Sequence, residues 1–356
     1  MNVLIIDDSA FNRRTLSEIL RALPEVGEVA TATDGEEGLR IALETKPDVI
    51  TLDLEMPRMD GFTFLRLLMA KQPTPVIVVS SYARKANVFR ALELGALDFI
   101  AKPARLLGDD RESIRKVLHE KIATVAALRP GRLSEPVPPR TERLVALSPP
   151  ATEVRPGRLR VVAIGASTGG PPALQRIFES LPPDLPAAIL VAQHMPARFT
   201  EAFAERLART TGFPVREARD GDTLQAGVAL LAPGGKQTEV VPAGSGLRLR
   251  VGDALESDPY VPSIDRLFES LAAAAGPRTL GVVLTGMGRD GRKGIEALKE
   301  AGGAAVVESE ETSLIYGMPR EALATGKVDL EAPLNRIPEI ILRFVMEGSL
   351  ERGRVS

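Results

Sequence analysis

Two sets of side chains in this sequence have types and spacing suited to chemistry. The first is acidic. Asp7 and Asp8 close the apolar run 3–6, and Asp53 closes the run 49–52. Ser80 ends the run 76–80, and Lys102 follows 97–101 with Pro103 behind it. If these runs are parallel strands of one sheet, all five side chains gather outside its carboxyl edge, where open α/β sheets bind ligands. Three oxygen acids without thiol or imidazole suit a hard divalent cation such as Mg2+. A hydroxyl and an ammonium beside them make a place for a phosphoryl group, donating to it and pairing with its charge. Any one of these residues alone reads equally well as a helix cap or a turn. Their joint placement at successive strand ends is what points to a site.

The second set is a serine, a histidine and an acid. Ser167 lies in Gly165-Ala166-Ser167-Thr168-Gly169-Gly170-Pro171, a strand end, tight turn and helix start. Such a turn presents a hydroxyl at the sheet edge and aims backbone N–H groups at a developing oxyanion. A glycine-rich phosphate loop has similar small residues, so this stretch alone leaves both readings open. His194 follows the run 188–192 directly, and Asp290 lies in Gly286-Met287-Gly288-Arg289-Asp290-Gly291 after the run 280–285. The chain has only two histidines. His119 falls in a predicted helix, which leaves His194 as the one candidate general base. Asp290 is placed either to orient that histidine or simply to cap the helix 292–300.

The elements that position these residues follow from hydrophobic periodicity. Short runs at 3–6, 29–31, 49–52, 76–80 and 97–101 read as strands. Asp34 with Glu37 three residues on resembles a capping box, and Gly61 opens an apolar stripe at helical spacing. Ile114, Val117, Leu118 and Ile122 share one side of a helix over about 111–127. Strand–helix alternation implies a parallel sheet covered by helices. Seven of the 28 prolines fall within 129–156, in a stretch without periodicity, as expected of a semi-extended linker. Alternation resumes at Arg160. Strands are expected at 161–165, 188–192, 280–285 and 304–307, with an antiparallel insertion over 228–251. Helices are expected at 173–180, 199–209, 263–274, 292–300 and 319–324. The expected organisation is a unit over 1–127, a linker over 128–158 and a second α/β unit over 159–346.

Composition narrows the classes. At 356 residues the chain is long enough for two domains. With 45 Lys and Arg against 47 Asp and Glu, the net charge of −2 argues against a phosphate-neutralising nucleic-acid binder. The absence of cysteine excludes disulfides, thiol nucleophiles and thiolate metal sites. No apolar stretch is long enough to span a membrane, and the first residues do not read as a targeting segment. A cytoplasmic protein is expected.

The first 120 or so residues resemble the receiver domain of two-component response regulators. The resemblance rests on Ile5-Ile6-Asp7-Asp8-Ser9, Asp53-Leu54-Glu55-Met56-Pro57, Met59-Asp60-Gly61, Ser80-Ser81 and Lys102-Pro103. It implies a flavodoxin-like (βα)5 fold in which Asp53 accepts a phosphoryl group from a chemotaxis histidine kinase. It implies Mg2+ held by Asp8, Asp53 and the Glu55 carbonyl, with Asp7 close by. It also implies switch positions at Ser80, Phe99 and Lys102, and a cis peptide before Pro103.

The second half, from about Arg160 to Arg343, resembles the protein-glutamate methylesterases of bacterial chemotaxis, the CheB family. The matching motifs are the Ile164–Pro171 stretch, Gln193-His194-Met195-Pro196 with Phe199-Thr200, and Ala232-Pro233-Gly234-Gly235. Pro262-Ser263-Ile264-Asp265, the Thr285–Gly291 loop and Tyr316-Gly317-Met318-Pro319-Arg320-Glu321-Ala322 complete them. The resemblance implies a doubly wound Rossmann-like fold and a Ser167–His194–Asp290 triad, with backbone N–H groups around Thr168 and Met287 holding the oxyanion. It implies hydrolysis of glutamate methyl esters on methyl-accepting chemoreceptors, releasing methanol, and deamidation of receptor glutamines, with no cofactor for that reaction. Lys236-Gln237 depart from the family pattern, where a histidine is common, and the departure is expected to touch substrate contacts at most. The short tether keeps the receiver at high effective concentration near the esterase cleft, so autoinhibition relieved by phosphorylation is the expected regulation. An output module without catalysis, or a hydrolase of another protein ester, are the other readings of the same residues.

Overall fold

Five short runs of branched residues in the N-terminal half each make one strand. The computed structural model describes residues 1–81, 85–102, 109–126, 128, 159–350 and 353–354. It divides into two compact units, Met1–Pro136 and Val137–Ser356.

The first unit runs β1 (Val3–Ile6), α1 (Ala10–Arg21), β2 (Val29–Ala32), α2 (Gly35–Thr45), β3 (Val49–Leu52), α3 (Gly61–Lys71), β4 (Val76–Ser81), α4 (Lys85–Glu93), β5 (Asp98–Lys102) and α5 (Asp109–Ala126). The sheet is parallel in the order β2-β1-β3-β4-β5. Every residue of β1 and β3 is buried, which is why they read as unbroken apolar runs rather than alternating ones. Asp34 caps α2 by accepting from the N–H groups of Glu36 and Glu37 at 2.8 and 3.0 Å. The predicted box closes one residue early: Glu37 reaches back to the N–H of Thr33 at 2.8 Å. Gly61 opens α3 because the Asp53 carbonyl passes so close that a Cβ there would lie 2.5 Å from it. On α5, Ile114, Leu118 and Ile122 are buried as expected, joined by Val125.

The second unit runs β6 (Arg160–Ala166), α6 (Gly170–Ser180), β7 (Ala187–Gln193), α7 (Phe199–Thr211), β8 (Val215–Glu217), β9 (Ala229–Leu231), β10 (Lys236–Ala243), β11 (Gly246–Asp253), α8 (Ile264–Ala275), β12 (Thr279–Val283), α9 (Arg292–Glu300), β13 (Ala304–Glu308), α10 (Met318–Leu323), β14 (Leu330–Ala332), α11 (Ile337–Glu347) and β15 (Gly353–Arg354). Eight parallel strands form one sheet in the order β15-β14-β13-β12-β6-β7-β9-β8. Helices α6, α7 and α11 form one packed group, and α8, α9 and α10 another, as in a doubly wound fold.

One expectation needs correction. The run 228–232 is not part of the antiparallel insertion: β9 pairs with β7 in parallel within the main sheet. Only β10 and β11 form the antiparallel pair. The apolar run Ala229–Leu231 is buried throughout, whereas β10 and β11 alternate buried and exposed positions. That difference is the one expected between an interior parallel strand and a one-sided hairpin.

The order of strands also locates the site. The chain leaves β6 for β7 on one side and later returns through β12 on the other. The carboxyl end of β6 is therefore the topological switch point, where such sheets open a crevice. The linker assigned to 128–158 lies, apart from Leu128, outside the described residues, as does Pro103 with its expected cis bond. None of the described helices is long and apolar enough to cross a membrane.

Candidate active and phosphoacceptor sites

In the first unit the structure brings the acidic residues together. Oxygen atoms of Asp7, Asp8 and Asp53 lie within 4.8 Å of one another. Lys102, at the end of β5, donates to Asp53 Oδ2 at 2.5 Å and to Asp7 Oδ2 at 2.7 Å. Asp7 is buried and also accepts from the Ser9 N–H at 2.9 Å and from the Asn12 side-chain amide. Asp8 is exposed, and Asp53 lies between these extremes. Arg13 turns to the backbone carbonyls of Asp7 and Asp8 instead of their carboxylates. Two of the three carboxylates, Asp7 and Asp53, share the Lys102 ammonium, so the cluster is a donor set of hard oxygens with surplus negative charge that fits a divalent cation. Burial pushes the Asp53 carboxyl above its usual range, against the pull of Lys102, with Asp7 adding to the rise. Burial disfavours the Lys102 ammonium, but Asp53 and Asp7 outweigh it and hold its pKa above the ordinary value. Glu55 is exposed, its N–H donating to Asp53 Oδ1 at 3.3 Å. Ser80 is buried near the end of β4. Phe99 is buried in β5, edge-on to Phe89 with ring centroids 6.4 Å apart.

In the second unit the serine, histidine and acid converge at the switch point. Ala166 is paired with Gln193 across β6 and β7, so Ser167 and His194 are the next residues off adjacent strands. The His194 N–H donates to the Ala166 carbonyl at 2.9 Å. The Gln193 side-chain amide fastens both turns, donating to the Ser167 carbonyl at 2.9 Å and the His194 carbonyl at 3.0 Å. Gly169 has φ +82°, the left-handed conformation that lets β6 turn into α6. From β12, the Ser167 N–H is held by the Thr285 carbonyl at 3.0 Å. Gly286 lies so close that a Cβ there would be 2.7 Å from Ser167 Cβ. Thr168 is buried, and its carbonyl accepts the Thr285 hydroxyl at 3.0 Å. Met287 follows Gly286 and is half-buried. Thr168 therefore belongs to the turn of Ser167, and Met287 follows the glycine packed against that serine.

His194 Nε2 meets Asp290 Oδ2 at 2.8 Å. The alternative that Asp290 caps its own helix does not hold. Its carboxylate accepts from the N–H groups of Ile264 and Asp265, both at 2.8 Å, and from the Ser263 hydroxyl at 3.2 Å. Asp290 therefore caps α8, across the loop. In exchange, Asp265 in the first turn of α8 caps α9, accepting from Gly291 and Gly294 N–H at 2.9 and 2.8 Å. Each acid closes the helix that the other precedes or begins. The reciprocal arrangement fixes the carboxylate that faces His194. Burial pushes the Asp265 carboxyl up to about 6, with neighbouring Asp290 adding to the rise. In the sequence Asp265 stands in the motif Pro262-Ser263-Ile264-Asp265 and as an acid in a helix's first turn, and neither announces the exchanged cap.

Two other residues belong to this assembly, Tyr260 without a sequence signal and Gln237 seen only as a departure from the family pattern. Tyr260 stacks on the His194 ring, centroids 5.1 Å apart and planes 6° from parallel. Gln237 is buried, and its amide donates to the Tyr260 carbonyl at 2.9 Å and to Asp258 at 3.1 Å. Its oxygen accepts from the Ser263 N–H at 2.8 Å. The expectation that position 237 touches substrate at most is thereby corrected: the residue spans the segment carrying Tyr260 and Ser263. Lys236 pairs with Asp253 on the neighbouring strand. Among the other motif residues, Thr200 accepts from the Gly234 N–H at 3.0 Å, tying α7 to the turn before β10. His119 is exposed and meets Glu25 at 3.2 Å.

A family model described as CheB methylesterase matches residues 162–341, and one described as response regulator receiver domain matches residues 3–122. The chain is 48% identical to protein-glutamate methylesterase/protein-glutamine glutaminase 3 of Geobacter sulfurreducens, over 96% of this chain and 97% of that one. It is 51% identical to the protein of the same name numbered 1 in Myxococcus xanthus, over 95% of each. Among solved structures, the CheB methylesterase catalytic domain of Thermotoga maritima is similar, with a TM-score of 0.51 and 34% identity, covering 52% of this chain and 98% of that one.

Proposed function

The chain belongs to the CheB methylesterase family, and from that premise we propose that Ser167, His194 and Asp290 hydrolyse glutamate γ-methyl esters on methyl-accepting chemoreceptors. The protein is a protein-glutamate methylesterase with protein-glutamine glutaminase activity, regulated through its receiver domain. The contact that carries the assignment of residues is the 2.8 Å bond from His194 to Asp290, with Ser167 next in register to that histidine.

In the proposed reaction Ser167 Oγ attacks the ester carbonyl carbon. With Nε2 engaged by Asp290, the serine proton passes to Nδ1, the reverse of the usual use of the two ring nitrogens. Asp290 stabilises the imidazolium, and it does so from a fixed position because α8 donors hold it. Backbone N–H groups at Thr168 and Met287 receive the oxyanion, each worth about 3 kcal/mol of barrier. The proton returns from Nδ1 to the leaving oxygen, methanol departs, and water then resolves the acyl-enzyme. A glutamine side chain enters the same cycle with ammonia as the leaving group.

For the receiver we propose that Asp53 is the phosphoacceptor and that a chemotaxis histidine kinase is the donor. Asp7, Asp8, Asp53 and the Glu55 carbonyl would hold Mg2+, which neutralises phosphoryl oxygens as they approach Asp53. Lys102 shares that task, and Ser80 and Phe99 respond to the new charge. Phosphorylation raises the esterase rate; a tenfold rise requires only about 1.4 kcal/mol of differential stability between two states. The deciding experiment is methanol release from methylated receptor membranes, with and without a small phosphodonor and Mg2+. Release that depends on Ser167 and rises with phosphodonor is expected. Hydrolysis of a small synthetic ester alone, with none from receptors, would redirect the substrate assignment.

A further inference from the structure

Tyr260 has no place in a serine–histidine–acid scheme, yet it covers one face of the histidine. The rings are 5.1 Å apart at centroid and within 6° of parallel. The segment carrying Tyr260 is held at two points by Gln237, through the Tyr260 carbonyl and the Ser263 N–H. Ser263 in turn donates to Asp290. The tyrosine hydroxyl packs against the Asp290 loop: a Cβ on Gly288 would lie 2.7 Å from it. One clamp therefore sets the tyrosine ring, the acid and, between them, the imidazole.

We propose that Tyr260 is a positioning residue for the esterase reaction, its ring holding the His194 plane in register with Asp290 and favouring the imidazolium over the neutral ring. The inference rests on the assignment of His194 as the base. The physical reason is that the face of an aromatic ring attracts a cation and has much less preference for a neutral heterocycle. The imidazolium exists only after the serine proton has moved, so the attraction grows toward the transition state, the condition for acceleration. The tyrosine also limits rotation of the imidazole, which would otherwise take Nε2 from Asp290. Among the described residues, the charged groups near this assembly include Asp290, which touches the imidazole, Asp265 beside Asp290, and Arg289, whose backbone N–H faces the Tyr260 hydroxyl at 3.5 Å. Asp258, on the tyrosine's own segment, is turned to Gln237 and the Leu255 N–H.

The test uses the full chain, in which two histidines make the imidazole proton signals simple to assign. Tyr260→Leu and Tyr260→Phe are compared with the unaltered protein by methanol release and by the NMR ring-current shift of the His194 proton signals, with His119 as internal reference. Tyr260→Leu is expected to lower kcat about tenfold with KM changed less than about twofold, and to remove the ring-current shift of the His194 proton signals. Tyr260→Phe, which keeps the ring face, is expected to restore both. Tyr260→Leu with unaltered kcat or an unmoved His194 ring-current shift overturns the proposal, and so does Tyr260→Phe that is as impaired as Tyr260→Leu. The ring-current shift of His194 reports the stack independently of catalysis. An active Ser167→Ala protein with that shift intact would remove the triad and leave the stack standing.

Discussion

The two sites are built from similar parts and differ in how completely the fold satisfies them. In the receiver, three carboxylates meet, two of them paired with the Lys102 ammonium, and the third, Asp8, faces solvent. In the esterase unit a single carboxylate, Asp290, is almost fully buried and accepts from an imidazole, a hydroxyl and two backbone N–H groups. The first arrangement carries an excess of negative charge that invites a cation and a phosphoryl group. The second is electrostatically complete and awaits only an electrophile. A site that must be switched is left unsatisfied, whereas a site that must be ready is saturated with partners.

The largest expected effect tests the saturated site. Ser167→Ala should lower methanol release on the order of 10⁶-fold if the three residues act as a unit, with phosphodonor giving no rescue. Asp290→Asn comes next. An amide there presents an NH2 group to backbone donors that need an acceptor, and it misdirects the imidazole tautomer. Loss of about 10⁴-fold in kcat is expected by analogy with triads in general. The same change should lower thermal stability, because a buried N–H left without a partner costs about 1–3 kcal/mol. Equal activity in Asp290→Asn and the parent would break the contrast drawn above, since it would make the saturated carboxylate a structural cap only.

The unsatisfied site is expected to answer to its cation. Chelation of Mg2+ should remove the phosphodonor-dependent rise in methanol release, about tenfold or less, while release measured without phosphodonor stays the same. Asp53→Asn should abolish the same rise whether or not Mg2+ is present. A phosphodonor response that survives chelation would show that the three carboxylates work without a metal.

How much of this was legible in sequence follows the same division. Strand ends were readable because buried parallel strands are short apolar runs, and the residues that follow them face one edge. Asp7, Asp8, Asp53, Ser167 and His194 were all found in that way. Asp290 was found as a residue, with its partner helix unknown. A capping acid normally serves its own helix, and nothing in the spacing of Ser263, Asp265 and Asp290 announces that two helices exchange caps. The strand Ala229–Leu231 was assigned to the wrong sheet because apolar runs carry no label of their neighbours. Tyr260 was illegible, and Gln237 was legible only as a departure from the family pattern. Both act through long-range contacts, which leave no period or turn signature in the chain.

The exchanged caps give the smallest and most specific prediction. The Asp265 carboxyl is held at about 6 in the folded protein, against 3.8 for the free side chain, by burial first and by Asp290 beside it. The folded state therefore binds a proton more tightly than the unfolded state. Stability must fall as pH rises from about 4 through about 6, and level off above that. Asparagine at this position keeps the oxygen that accepts from Gly291 and Gly294, since both bonds use Oδ1. It removes the charge that burial penalises. Asp265→Asn is expected to be more stable than the parent at pH 8, and to lose that advantage toward pH 4.5. Because the side chain is only half-buried, solvent screening reduces the effect to on the order of 1 kcal/mol, or about 2–4 °C in Tm. Thermal unfolding of both proteins at several pH values measures it directly. Parallel curves would mean that Asp265 does not gain a proton on folding. The crossed caps would then hold two ionised carboxylates side by side, and the esterase site would be less well compensated than its bonds suggest.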